Sequence, residues 1–139
     1  METNDIAHVQ RTWEMVLGDG DDLARTFYDR LFAIDPSLRQ LFAETDMPEQ
    51  RKKVMQIITV AVRGLGKLNE LTPAVEALGR AHAGYGVKNE HYQTVGAALA
   101  WTLAQRLGAA FTPEVREAWT RTYVTLAGIM QRAAGELAA

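Results

Sequence analysis

Cysteine is absent from the 139 residues. That excludes disulfides, zinc–thiolate centres, iron–sulfur clusters, thiol catalysis and thioether attachment of a cofactor through a Cys-x-x-Cys-His segment. Proline is scarce, with 4 residues in the chain, so few positions are barred from helix. Neither sign of charge dominates: 15 Lys+Arg against 17 Asp+Glu leave a formal charge of -2 and a pI near 5.9. Without a surplus of basic side chains for phosphates, a sequence-independent nucleic-acid binder is excluded. Long apolar runs are missing too. Val60–Val62 and Ala97–Trp101 are far too short to cross a bilayer, so no membrane partner is expected. The acidic, polar start Met1-Glu2-Thr3-Asn4-Asp5 is the opposite of the basic-then-apolar pattern of a signal peptide. The expectation is a soluble, unprocessed, cytoplasmic chain.

What the chain does have is a folding balance of apolar and charged residues, 47% hydrophobic against 23% charged, outside the range of disordered tails. At this length one domain over residues 1–139 is expected, burying roughly two thirds of the surface its unfolded chain exposes. Helix starts are written at three prolines. Asp46 before Met47-Pro48-Glu49, Thr72-Pro73 and Thr112-Pro113-Glu114 each place a capping side chain ahead of a proline whose missing N–H is harmless in a first turn. Asp46 with Glu49 also has capping-box spacing. Glycines at 18 and 20, 64 and 66, 84 and 86, and 108 interrupt the periodic runs.

Between these marks the apolar spacing is three and four residues. It runs through Ile6, Val9, Trp13 and Val16, then Leu23, Phe27, Leu31 and Ile34. A third set is Val54, Ile57, Ile58, Ala61 and Leu65, and a fourth is Leu71, Val75, Leu78 and His82. Two long helices follow, through Val95, Leu99, Leu103 and Leu107, and through Val115, Trp119, Thr122, Leu126 and Ile129. No alternating run bounded by hairpin turns interrupts them, so the fold class is all-α, with about six to eight helices and short connections.

Most familiar chemistry is missing from this frame. Gly64-Leu65-Gly66 follows a helix rather than a strand and lacks a third glycine, so it cannot cradle a phosphate. No His-Glu-x-x-His, EF-hand loop or serine–histidine–acid set is present. His82 stands out because it falls on an apolar stripe, four residues after Leu78 and seven after Val75. Two roles are open to it. It is either a core histidine with one ring nitrogen on a backbone carbonyl, or a metal ligand, since neutral imidazole is the commonest nitrogen donor to transition metals. Alone it cannot build a zinc site, but it could hold the iron of a haem, whose porphyrin supplies the other nitrogens.

The run Leu78-Gly79-Arg80-Ala81-His82-Ala83-Gly84-Tyr85-Gly86-Val87-Lys88, followed by Tyr92-Gln93-Thr94-Val95-Gly96, resembles the proximal half of a globin. It is similar both to neuroglobins and to bacterial single-domain haemoglobins, which share their fold with the globin domain of flavohaemoglobins. Phe111-Thr112-Pro113, Glu117-Ala118-Trp119 and Tyr123 continue the likeness into the last helix. Upstream, Phe27-Tyr28-Asp29-Arg30-Leu31-Phe32, Asp35-Pro36, Leu41-Phe42 and Gln50-Arg51-Lys52-Lys53-Val54-Met55 match the second helix, its following corner and the distal helix. The likeness is collinear over nearly the whole chain.

The resemblance implies a globin fold around a non-covalent haem b, with His82 as proximal iron ligand and dioxygen, nitric oxide and carbon monoxide as ligands. It makes Phe42 the aromatic that packs on the haem face, Gln50 the distal polar residue and Val54 the apolar residue one turn later; four-residue spacing puts the last two on one helix face. Tyr28 joins Gln50 as a donor to the bound ligand, Leu78 and Val87 flank the proximal histidine, and Lys53 and Arg80 become candidates for the haem propionates. Glutamine coordinates iron poorly, so the ferrous state is expected to be five-coordinate. In flavohaemoglobins a tyrosine and a glutamate support the histidine. Tyr92 occupies the tyrosine position here, but the glutamate position is Ala134, with Glu136 two residues on. A weak proximal push follows, with the Leu78 carbonyl as partner of the imidazole N–H. Oxygen binding, transport or storage is the function implied. Nitric oxide dioxygenase or weak peroxidase activity would depend on an external reductase, since Ala139 leaves no room for flavin and nicotinamide domains. A haem-free interaction module with the same fold is the remaining alternative.

Overall fold

Several helices begin where a side chain can absorb an unpaired N–H donor. In the computed structural model, which describes residues 1–138 and side chains as far as residue 135, the elements are α1 (Thr3–Val16), α2 (Gly20–Ile34), α3 (Met47–Arg63), α4 (Leu68–Gly84), α5 (Asn89–Leu107) and α6 (Pro113–Ala138). Short 3-10 turns lie in every connection but that of α4 to α5, the longest at Pro36–Phe42. No strand occurs among the described residues. Asp46 accepts the Glu49 N–H at 3.3 Å and Thr112 accepts that of Val115 at 3.3 Å, so Pro48 and Pro113 sit in first turns. Pro73 does not. It lies inside α4, which starts five residues earlier at Leu68. Thr72 is therefore not a cap; its hydroxyl donates back to the Leu68 carbonyl at 2.8 Å. Gly86 and Gly108 close α4 and α5 with positive φ, +92° and +53°, a region that costs glycine little.

The main core joins α1, α2, α3, α5 and α6 around Trp13 and Trp119, whose ring centroids are 6.1 Å apart. Both indole N–H groups are satisfied inside it: Trp13 donates to Thr59 at 3.0 Å and Trp119 to Thr12 at 2.9 Å. Such pairing is what lets a large amphipathic ring be fully buried. Truncating a ring of this kind costs about 3–5 kcal/mol. Two expected stripes shift. Ile34 ends α2 partly in solvent, at 40% exposure, and Leu65 is buried in the turn after α3 rather than on it.

The arrangement of α3 and α4 positions the site. Near their junction they meet through Ala61, which packs against the Leu71 and Val75 cluster. Beyond it they scarcely touch; α4 lies along α6, and α3 lies against α2 and α1. Close packing on α6 is possible because position 79 has no side chain. A Cβ there would come within 2.4 Å of the Met130 carbonyl oxygen. The two consecutive helices therefore diverge from the Gly64 corner towards Gln50 and His82.

Candidate functional site

Because α3 and α4 separate, the apolar stripe of α3 is only half covered. Val54, Ile57, Ile58 and Ala61 are all half-buried, while Met55 and Val62 on another face are fully buried. Leu78 and His82 on α4, Val87 after it, and Phe42 before α3 share that half-buried state. Val54, Ile58 and Ala61 pack on the core with one side and keep the rest of their surface uncovered, which leaves apolar area for a ligand.

On α4, His82 Nδ1 lies 2.7 Å from the Leu78 carbonyl oxygen. A carbonyl only accepts, so Nδ1 carries a proton, and in the neutral ring the lone pair is then on Nε2. The His82 carbonyl in turn accepts the Val87 N–H at 3.0 Å, which ties the following loop back onto the histidine. Tyr92, one turn into α5, is buried, and its carbonyl accepts the Tyr123 hydroxyl at 2.6 Å. Its own hydroxyl makes no hydrogen bond with a described residue, and burial pushes its pKa up. Tyr92 and His82 are thus not hydrogen-bonded to each other. Ala134 is half-buried on α6; the Glu136 side chain lies outside the described residues.

The second group forms between α2, α3 and the Pro36–Phe42 turn. Phe42 meets Tyr28 edge-on at 5.5 Å and Phe32 at 5.6 Å, and Phe27 meets Tyr28 at 5.1 Å. Edge-to-face aromatic packing at these spacings is favourable beyond the area it buries. This cage fixes the Tyr28 ring, 5% exposed, and directs its hydroxyl to α3, where the Gln50 amide nitrogen donates to it at 3.1 Å. Burial raises the Tyr28 pKa and the Gln50 hydrogen bond partly opposes that rise. At neutral pH the phenol is protonated.

Gln50 also borders an open groove of about 520 Å³ with Thr45, Asp46, Lys53 and Gln56. Lys53 is exposed and Arg80 half-exposed, and neither pairs with a carboxylate among the described residues. No cluster of three His, Asp or Glu side chains able to hold a metal ion by themselves occurs among the described residues. No helix there is long and apolar enough to cross a membrane. Two close contacts escape sequence inspection, Gly79 on Met130 and Gly96 on the Tyr123 ring. Their one signal is a glycine inside a helical period, where it costs stability unless something must come close.

Among the described residues the chain is an all-α protein of six helices with partly exposed apolar side chains on α3 and α4, His82 on α4 and a hydroxyl–amide pair on α2 and α3. Residues 25–130 match the globin family model, and the chain belongs to the globin family. It is 33% identical over 123 residues to a flavohaemoprotein of Vibrio cholerae and 29% identical over 129 residues to one of Bacillus subtilis. These alignments cover 87% and 91% of this chain but 31% and 32% of the relatives, so the chain spans about a third of their length. Among solved structures, a bacterial globin from Campylobacter jejuni superposes with a TM-score of 0.85 at 24% identity, over 99% of both chains. A flavohaemoglobin from Malassezia yamatoensis, solved with FAD and haem bound, superposes at 0.82 with 20% identity over 99% of this chain and 37% of that one.

Proposed function

We propose that this globin, taken as one domain, binds haem b non-covalently through His82 and serves as a cytoplasmic binder of dioxygen, nitric oxide and carbon monoxide in oxygen binding, transport or storage. The observation that carries the proposal is the 2.7 Å approach of His82 Nδ1 to the Leu78 carbonyl oxygen. With Nδ1 committed to the Leu78 carbonyl, the free lone pair is on Nε2, the state a metal requires. The surroundings fit the group. Half-buried Phe42, Val54, Ile57, Ile58, Leu78 and Val87 suit a flat apolar macrocycle, and Lys53 and Arg80 are cations free to meet its two propionates. His82 would hold the haem, and the haem would supply an iron able to bind and polarise a diatomic molecule.

Tyr28 and Gln50 then divide the work of holding that charge. The Gln50 N–H occupies the Tyr28 oxygen, which leaves the phenol's own proton to donate. Burial keeps the proton on the phenol at neutral pH, favouring a donor over a phenolate ligand. Each hydrogen bond to a charged acceptor contributes about 1.5–3 kcal/mol, roughly ten- to hundredfold in dissociation rate. High oxygen affinity and slow release are expected. The test is the absorption spectrum of the reduced protein with and without carbon monoxide. A Soret band that shifts with carbon monoxide supports haem binding. No band, together with a melting temperature that ignores added haem, leaves a haem-free interaction module, because a bound group must stabilise the fold by linkage.

Similarity to flavohaemoproteins favours a second activity, oxidation of nitric oxide by dioxygen to nitrate. Each turnover would need one electron from an external reductase. A neutral carbonyl on the His82 N–H, with Ala134 at the glutamate position, argues for weak peroxidase activity. Stopped-flow mixing of the oxygenated protein with nitric oxide, with and without a reductase, separates the two: sustained nitrate formation marks the enzyme and a single turnover marks the binder.

A further inference from the structure

Asp21 stands in the first turn of α2, and its two carboxylate oxygens are held from two helices. Arg25, one turn along α2, donates to Oδ2 at 3.3 Å, and Arg51 of α3 donates through Nε to Oδ1 at 2.9 Å. The Arg51 side chain is only 16% exposed, so its stem lies along the protein and carries the charge to one fixed place. Its hydrogen bond holds the Asp21 carboxyl below its ordinary pKa, and the pair is charged at neutral pH. The next acid, Asp22, accepts from Arg106 of α5. Successive residues thus tie the start of α2 to α3 and to α5.

Arg51 directly follows Gln50. Among the described residues, two side-chain hydrogen bonds join α3 to α2, one from Arg51 to Asp21 and one from Gln50 to Tyr28. They act at different places. On α2, Asp21 and Tyr28 are seven residues apart, on nearly one face and about 10 Å apart along the axis. On α3 the partners are successive, about 100° apart around the axis. Two bonds so placed fix how far α3 is turned about its own axis and where its first turns lie along α2. Met47 and Val54, before and after Gln50 in α3, pack on the cluster of Phe27 and Tyr28, but apolar contact is non-directional and sets rotation loosely. The Gln50–Tyr28 bond tolerates little error. From 3.1 Å, a displacement of about 0.5 Å takes it out of hydrogen-bond range.

We propose that Arg51 is a positioning residue: its ion pair with Asp21 sets the rotation of α3 at which the Gln50 amide reaches the Tyr28 hydroxyl, and so acts on the bound ligand through those two groups; this rests on the haem-binding reading above. In reconstituted protein, Arg51→Ala should speed oxygen dissociation about two- to fivefold, the range open to a pair whose acid is largely exposed. The infrared C–O stretch of the carbon monoxide complex, which reads the donors facing the ligand, should move towards its position in Gln50→Leu. Arg51→Lys, which keeps the charge, should restore both in part. In a Gln50→Leu background, Arg51→Ala should change neither rate nor stretch, because the group it positions is gone. Asp21→Asn, which leaves Arg51 in place and alters the exposed partner, carries the same comparison if Arg51→Ala does not fold. An unchanged rate and stretch in these variants overturns the positioning role and leaves haem binding standing. Equal acceleration with and without the Gln50 amide would mean a general loosening of the fold, and that too overturns it. A wild type without a Soret band removes the parent reading and the positioning role with it.

Discussion

The Gln50 side-chain nitrogen donates to the Tyr28 hydroxyl oxygen across 3.1 Å, joining α3 to α2 over 22 residues of sequence. The bond orients two donors at once: it fills a lone pair on the phenol and leaves the phenol proton for a ligand. Tyr28→Phe removes that proton while keeping the ring in its cage of Phe27, Phe32 and Phe42. Oxygen dissociation should quicken about tenfold or more on the strength of a hydrogen bond to a charged acceptor. Gln50→Leu should also speed it, and the double variant should fall short of the product of the two, because they form one network. Stopped-flow displacement of oxygen by carbon monoxide measures all three. An unchanged rate in Tyr28→Phe would mean the hydroxyl serves only Gln50.

His82→Ala should abolish most of the gain in melting temperature on adding haem and alter the Soret spectrum. Because Nδ1 is already tied to the Leu78 carbonyl, the variant also leaves that carbonyl without its side-chain donor, a small cost to α4. Added imidazole should restore the spectrum in part if the ring at position 82 is the ligand. Full haem stabilisation in His82→Ala would remove the residue from that role.

Much of this was legible because it is local. The Asp46 and Thr112 caps, the helix periods and the four-residue spacing of Gln50 and Val54 need only a few neighbouring residues. Pro73 misled for the same reason: Thr72-Pro73 has the chemistry of a start, yet Leu68 to Leu71 extend α4 ahead of it because Leu71 is buried against Val75 and Ile129. Position 82 reads as core or ligand from its stripe alone, and only the likeness across several motifs favours the ligand. The Gly79–Met130 and Gly96–Tyr123 approaches depend on how α4, α5 and α6 cross. No local pattern encodes that.

Gly79→Ala tests whether the α4–α6 crossing holds the site open. The new Cβ would sit 2.4 Å from the Met130 carbonyl oxygen and 2.6 Å from its Cα, and backbone cannot yield as a side-chain tip can. Overpacking of this kind costs about 1–3 kcal/mol, enough to lower the melting temperature by several degrees. His82 is three residues on, so haem affinity should fall as well. Gly96→Ala meets the Tyr123 ring first, at 2.8 Å, and should be milder because a side chain can shift. Equal melting of Gly79→Ala and wild type would show that the helices separate freely.

Asp5 ties α1 to the last helix. Its carboxylate, 7% exposed, accepts two hydrogen bonds from Arg121 at 2.9 Å and one from the Glu2 N–H at 3.1 Å. The Arg121 hydrogen bonds, then that of the Glu2 N–H, lower its pKa from 3.8 to about 2. A depressed carboxylate pKa stabilises the fold at pH values above the unfolded value, and that stabilisation is lost as pH falls through the folded value. The window for Asp5 therefore runs from just above pH 4 down to about pH 2. Urea melts across that range should show wild-type stability falling more steeply than that of Asp5→Asn, which is less stable at pH 7 but has no proton to gain at this position. Arg121→Gln should flatten the slope in the same way, since it removes the partner that lowers the pKa. Parallel curves for wild type and both variants would mean that the acid sensitivity of the fold arises from other carboxylates.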